Sequence, residues 1–155
     1  MARAYIALGT NIGNKRGNIE TASALLSQRA GHIVAFSGLY ESEPWGFRSP
    51  NMFLNLVLAL ETPEFPDDLL RLSLSIEKEM GRTEKSSGEY KDRIIDIDLL
   101  MYDNLVLDTP MLKLPHPLMT ERLFVMEPLV EIAPDVIHPV LHIPMKEILE
   151  RLKRR

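Results

Sequence analysis

Two hydrophobic periodicities alternate along this chain, and their order restricts the fold more than any other feature. Ala4 to Leu8 is an apolar run that stops at Gly9 and reads as a buried strand. After the turn-rich Thr10 to Asn14 the period changes. Ile19, Ala22 and Leu26 fall on one helical face with Leu25 beside them, and Gly31 supplies a stop. Ile33 to Tyr40, rich in β-branched and aromatic residues, reads as a second strand. Glu41 to Met52 carries Pro44, Gly46 and Pro50, which oppose regular structure. Phe53 to Leu60 is a third strand, with Asn55, Val57 and Ala59 on one face and Leu54, Leu56, Leu58 and Leu60 on the other. Pro66 opens a second helix, with Asp67 and Asp68 in the first turn where the dipole favours acids. Its stripe is Leu69, Leu72, Ile76 and Met80, and Gly81 ends it. Arg82 to Asp92 is polar, and Ile94 to Tyr102 is a fourth strand.

Strand, helix, strand, strand, helix, strand is the order of an α+β fold with a ferredoxin-like βαββαβ core, an antiparallel sheet carrying both helices on one face. The remainder is a proline-rich C-terminal extension, expected to form short helices and turns wrapped on the sheet and to close with a helix from about Met145 to Leu152. A length of 155 residues suits one domain over 1–155, since dividing it leaves two marginal cores. There is no cysteine, so disulfides, thiolate metal sites and a cysteine nucleophile are excluded. The net charge of −4 argues against broad nucleic-acid binding, which needs a basic face. Yet Arg82, Lys85, Lys91 and Arg93 crowd one stretch, and Arg122 follows, which suits a small anionic ligand. The N-terminal apolar run is too short for a signal peptide, and no run approaches a membrane span. A cytoplasmic protein is expected.

The clearest chemical feature is Asp96-Ile97-Asp98 inside a strand. Residues two apart point to one side, so the carboxylates lie side by side, flanked there by Ile94 and Leu100. Neighbouring anions on a largely apolar face repel and lose hydration, and a divalent cation relieves both problems. Oxygen-only ligands suit magnesium. The competing reading is a solvated acidic face. Arg93 and the basic stretch before it favour phosphate chemistry, because acids that hold metal beside bases that hold phosphate are the parts of phosphoryl transfer. His116 between Pro115 and Pro117 is held by its backbone and can donate to a phosphate, or can be a packed turn residue. Gly9-Thr10-Asn11-Ile12-Gly13 lies between a strand and a helix but is no Walker loop, and a plain tight turn is its alternative. Trp45, Phe47 and Phe53 can stack on a flat heterocycle, though Phe53 also suits core packing. A ligand-sensing domain and a metal-dependent phosphodiesterase are the rival functions.

The stretches Ala4 to Asn11, Tyr40 to Gly46, Phe53 to Asn55, Gly81 to Thr83, Arg93 to Leu100, Pro115 to Met119 and Arg122 to Val125 resemble the 6-hydroxymethyl-7,8-dihydropterin pyrophosphokinase family, in register over nearly the whole chain. The Arg-x-x-Asp-x-Asp block at Arg93 and the His-Pro-x-Met block at His116 are its most specific parts. The resemblance implies transfer of pyrophosphate from ATP to the hydroxyl of 6-hydroxymethyl-7,8-dihydropterin in folate biosynthesis. It implies that Asp96 and Asp98 hold two Mg2+ ions, and that Arg82 and Arg93 act with them in catalysis. Arg82, Arg93, His116 and Arg122 would bind the triphosphate, Glu77 would face the nucleotide, and Leu99 and Leu112 would border the adenine. Phe53 and Phe124 would sandwich the pterin, while Ser42, Glu43, Trp45, Asn55 and Asp96 would meet its edge. The partners implied are these two small molecules, with no nucleic acid and no membrane, acting on a monomer. The chain departs from the family in two places. Glu84 stands where many members carry a second arginine, and Glu89-Tyr90-Lys91-Asp92 replaces a Trp-Gly-Pro.

Overall fold

The computed structural model describes residues 1–81 and 92–155. Strand β1 (Ala2–Thr10) leads to helix α1 (Lys15–Arg29), followed by β2 (His32–Phe36), β3 (Tyr40–Ser42), β4 (Phe53–Thr62), helix α2 (Pro66–Glu79) and β5 (Asp96–Tyr102). A small hairpin of β6 (Leu107–Asp108) and β7 (Lys113–Leu114), a 3-10 turn at Met119–Glu121, helix α3 (Leu123–Ile132) and helix α4 (Met145–Lys153) complete it. The main sheet runs β2-β4-β1-β5, every pairing antiparallel, with β3 also paired to β4.

The sheet has a core on each face. Ala4, Ile6 and Leu8 of β1, Leu56, Leu58 and Leu60 of β4, and Ile97 and Leu99 of β5 pack against Ile19, Ala22 and Leu26 of α1 and Leu69 and Ile76 of α2. The alternate positions Tyr5, Val57, Ala59 and Met101 pack against α3 and α4 through Val125, Met126, Leu129, Met145 and Ile148. Burying both sides explains why β4 reads as an almost unbroken apolar run. At Tyr5/Ile6 the pairing to β5 shifts by one residue, so Leu100 and Met101 both enter the second core.

Three local expectations are refined. The second strand is interrupted, because Ser37 pairs with Val57 partly through its hydroxyl: its backbone N–H donates to Val57 O (2.9 Å) and its Oγ accepts from Val57 N–H (2.9 Å). The N–H of Gly38 leaves the ladder for the Glu131 carboxylate (3.0 Å). The chain pairs again as β3, so Glu41 and Ser42 are strand rather than loop. Gly31 is needed for close approach rather than for a left-handed cap. A Cβ there would collide with the main chain of β4 at Glu61. Gly81, by contrast, takes φ 104° after α2, as a helix-ending glycine does.

The turn between α3 and α4 contains a pH-sensitive residue. His138 is buried, and its Nδ1 accepts the N–H groups of Val140 (3.1 Å) and Leu141 (3.0 Å). Burial, reinforced by the nearby His142, lowers its pKa below 6.5. Protonation removes the acceptor of two backbone donors, and the unfolded chain binds that proton more readily. Stability is therefore complete above 6.5 and is lost as the pH falls toward the depressed folded value. The melting temperature is expected to drop as pH falls below that point, and His138→Gln is expected to flatten this slope. Equal slopes in the two proteins exclude His138 as the cause.

Candidate active site

The strand register assembles a cleft floor from residues far apart in sequence. Gly9 of β1 lies opposite Asn55 of β4 on one side and Asp96 of β5 on the other. In the next row Ala7 lies opposite Val57 and Asp98. Directly paired residues share a face, so Asn55 and Asp96 stand on either side of a glycine, about 10 Å apart at twice the strand spacing. The centre of the floor carries nothing larger than a methyl group. This is the α3 face of the sheet, reached by the first turn of α3 at Phe124 and Val125, and it opens a cleft of about 350 Å³.

The polar wall is oriented by local hydrogen bonds. Asn55 is buried, and its Nδ2 donates both to Tyr40 O (3.0 Å) and to Ser42 Oγ (2.8 Å). With both amide protons used, Oδ1 is turned over Gly9 as an acceptor. Tyr40 is anchored in turn, its hydroxyl donating to Glu131 of α3 (2.6 Å), which pushes its pKa up to about 12. The aromatic wall consists of Trp45, Phe47, Phe53 and Phe124. Phe47 meets Phe53 edge-on at 6.1 Å. The Arg122 guanidinium lies over the rings of Trp45 (4.5 Å) and Phe124 (5.6 Å).

On the opposite side Arg93, Asp96, Asp98 and His116 line the cleft together. Arg93 is pinned by its main chain: its N–H donates to Asn11 Oδ1 (2.6 Å) and its C=O accepts from Asn11 N–H (3.0 Å). This tie, rather than the ladder, holds the chain before Asp96, which is why β5 starts two residues later than Ile94. Neighbouring Asp92 is held below the usual carboxylate range by the Ser49 hydroxyl and then by the amides of Asn11 and Asn51. His116 donates its backbone N–H to Leu100 O of β5 (2.8 Å). Its Nδ1 accepts from Leu118 N–H (3.1 Å), so the neutral ring carries its proton on Nε2 as a donor.

Asp98, His116 and Pro117 also border a second, more apolar cleft of about 380 Å³, where Leu99 and Leu112 lie with Leu70, Leu74 and Met111. The two clefts thus share one polar wall. Glu77 is buried on α2, and its carboxylate accepts the Ile97 N–H (2.7 Å) between the two aspartates. Among the described residues no group of three or more His, Asp or Glu side chains forms a metal cage. The Asp96 and Asp98 pair is the donor set at hand, and magnesium ordinarily takes one or two carboxylates and fills its shell with water and phosphate.

Of the expected residues, Ser42, Glu43, Trp45, Phe53, Asn55, Arg93, Asp96, Asp98, His116, Arg122 and Phe124 converge on the first cleft, and Leu99 and Leu112 on the second. Arg82, with Lys85 and Lys91, lies outside the described residues. Sequence reasoning missed Ala7 and Asp92, and it gave Gly9 and Asn11 only as parts of a glycine-rich stretch with no role in the cleft. Strand parity could have found Ala7 and Gly9, since they share the face of Tyr5 yet are too small to cover it.

Comparison with known proteins agrees over most of the chain. A family model described as 7,8-dihydro-6-hydroxymethylpterin-pyrophosphokinase (HPPK) matches residues 5–134. The 2-amino-4-hydroxy-6-hydroxymethyldihydropteridine pyrophosphokinase of Porphyromonas gingivalis is 45% identical over 141 residues, covering 90% of this chain and 95% of that one. The Aquifex aeolicus protein of the same name is 42% identical over 147 residues, covering 95% and 90%. The crystal structure of Plasmodium falciparum HPPK-DHPS wild type with SDX-DHP has a similar fold, with a TM-score of 0.76 at 17% identity. That likeness covers 97% of this chain and 44% of the Plasmodium chain, so this chain spans less than half of it.

Proposed function

Because the chain belongs to the 7,8-dihydro-6-hydroxymethylpterin-pyrophosphokinase family, and so transfers pyrophosphate from ATP to hydroxymethyldihydropterin in folate biosynthesis, we propose a division of labour between the two clefts. The pterin occupies the first cleft, over Gly9. Asn55 Oδ1 accepts from its edge, together with Ser42, Glu43 and the Trp45 main chain, and Phe53 and Phe124 take its faces. The adenine of ATP occupies the second cleft beside Leu99 and Leu112. Its phosphates cross the shared wall, where Arg93 and, from outside the described residues, Arg82 neutralise them and His116 donates a hydrogen bond. Glu77 serves the nucleotide side by holding the edge of β5. Arg122 belongs to the phosphate set on this reading and must leave Trp45 to act there. The observation that carries the proposal is the row Asn55–Gly9–Asp96: an acceptor for a heterocycle edge and a carboxylate pair, separated by an open floor.

The substrate hydroxyl attacks the β-phosphorus of ATP, the bond between the β-phosphorus and the oxygen to the α-phosphate breaks, and AMP leaves. The hydroxyl proton passes to a carboxylate or phosphate oxygen. The protein does little covalent work, so orientation and charge stabilisation dominate. Asp96 and Asp98 fit two Mg2+ ions, which when bound would offset the charge that develops on the phosphate oxygens. Arg93, held by Asn11, keeps a guanidinium at the same place without reorganisation, and the Nε2 proton of His116 is a further donor.

The core is read as ferredoxin-like, a reading supported by the antiparallel order β2-β4-β1-β5 with α1 and α2 on one face. The protein is taken to act as a cytoplasmic monomer on small molecules alone. In support, the net charge is −4 and the one chain carries every residue assigned here.

Incubation with ATP, magnesium and the pterin alcohol tests the reaction. Chromatography is expected to show AMP and the pterin diphosphate in equal amounts. ADP as the main nucleotide product overturns the reading.

A further inference from the structure

The loop that carries Trp45 and Phe47 of the aromatic wall has no ladder of its own between β3 and β4, and it is tied down near its end. Asn11, 1% exposed, is the fixed post. Its Nδ2 donates to Asp92 Oδ1 (2.8 Å) and to Asn51 O (3.3 Å), while its Oδ1 holds the Arg93 N–H. The second oxygen of Asp92 accepts from Asn51 Nδ2 (3.1 Å). Asn51 N–H donates to Ser49 Oγ (3.1 Å), which closes the loop end on itself. One carboxylate therefore links three segments: the end of β1, the end of the aromatic loop, and the residue before Arg93.

We propose that Asp92 is a positioning residue: with Asn11 as its post, it clamps the Ser49–Asn51 end of the loop between β3 and β4 to the chain at Arg93, ahead of β5, and thereby places the Trp45 side of the pterin site relative to the phosphate side. The proposal rests on the assignment of the first cleft to the pterin. It also gives a use to the Gly-Thr-Asn turn, whose asparagine would otherwise be only part of a tight turn. Asp92 does not line the cleft, so its effect is exerted through the loop. A loop left free at one end must be ordered by the ligand it binds, which weakens that ligand's binding.

The clamp needs two acceptors in the right places, not a charge. Asp92→Ala removes both. Asp92→Asn retains one acceptor for Asn11 and offers a donor to Asn51, whose amide can turn over to accept it. Steady-state kinetics with both substrates varied is the test, with melting curves to check folding. Asp92→Ala is expected to raise KM for the pterin about ten-fold, the effect of losing hydrogen bonds to a charged group, with KM for ATP changed by less than about two-fold. Asn51→Leu, which removes the amide, is expected to raise KM for the pterin as well, and the double variant to be no worse than Asp92→Ala. Asp92→Asn is expected to stay within about three-fold of the parent. An unchanged pterin KM in Asp92→Ala, additive effects in the double variant, or an Asp92→Asn as poor as Asp92→Ala overturns the clamp. If the parent forms AMP while these results appear, only the clamp has failed. If the parent forms no AMP, the cleft assignment has failed.

Discussion

Asp96→Asn and Asp98→Asn are each expected to lower turnover by about 10³-fold or more at saturating magnesium, while the protein remains folded. The two side chains lie about 6.6 Å apart along one strand, on the face that lines the cleft. An amide is nearly isosteric with a carboxylate but carries no charge. The β5 ladder, made by the main chain, is untouched by either change. Both aspartates are only partly buried, and bringing two like charges together on one face disfavours the folded state. Neutralising one is therefore expected to leave the melting temperature unchanged or slightly higher. Loss of activity with retained stability is the signature of groups kept for chemistry. Near-normal turnover in either variant would show that the pair is not the metal site.

Arg93→Ala is expected to reduce kcat by about 10³-fold, with a much smaller change in KM for ATP. The backbone of Arg93 is held on both sides by Asn11, so its guanidinium starts from a fixed origin at the Asp96 edge of the cleft. A preorganised charge aimed at phosphate oxygens acts most where their charge increases, which is in transfer rather than in binding. Arg93→Lys is expected to recover only part of the loss, because an ammonium cannot make the paired contacts of a guanidinium. Kinetics of the three proteins decide it. A raised KM for ATP with kcat unchanged would mean that Arg93 contributes equally to ground state and transition state, and is a binding residue only.

Several parts of this architecture were legible because they depend on local chemistry. The two faces of β4 follow from strict alternation. The start of α2 follows from Pro66 with Asp67 and Asp68 behind it, and its end from Gly81 in a left-handed conformation. The same-face placement of Asp96 and Asp98 is a property of any strand. Where a long-range partner competed with local preference, the sequence was a poorer guide. Ser37 looks like an ordinary strand residue until its hydroxyl meets the main chain of Val57. Gly31 looks like a helix terminator until β4 is seen packed against it. Nothing local in the sequence shows that the guanidinium of Arg122, a proposed phosphate ligand, lies over the Trp45 ring, to which a weakly hydrated cation is attracted.

Periodicity, turn residues and the Asp-x-Asp and His-Pro blocks, taken alone, determined the order of elements, the core faces and the residue types available for phosphate chemistry. Each of these depends on neighbours within a few positions, and such neighbours are fixed by the covalent chain. Only the tertiary structure decided that Asn55, Gly9 and Asp96 form one row, that Asp98 and His116 border two clefts at once, and that Asn11 and Asp92 join loops about eighty residues apart. Those facts follow from the pairing register of antiparallel strands, where a shift of one residue would turn every side chain to the other face. Register is selected by the burial of two apolar cores at once, a property of the whole sheet that no single stretch of sequence contains.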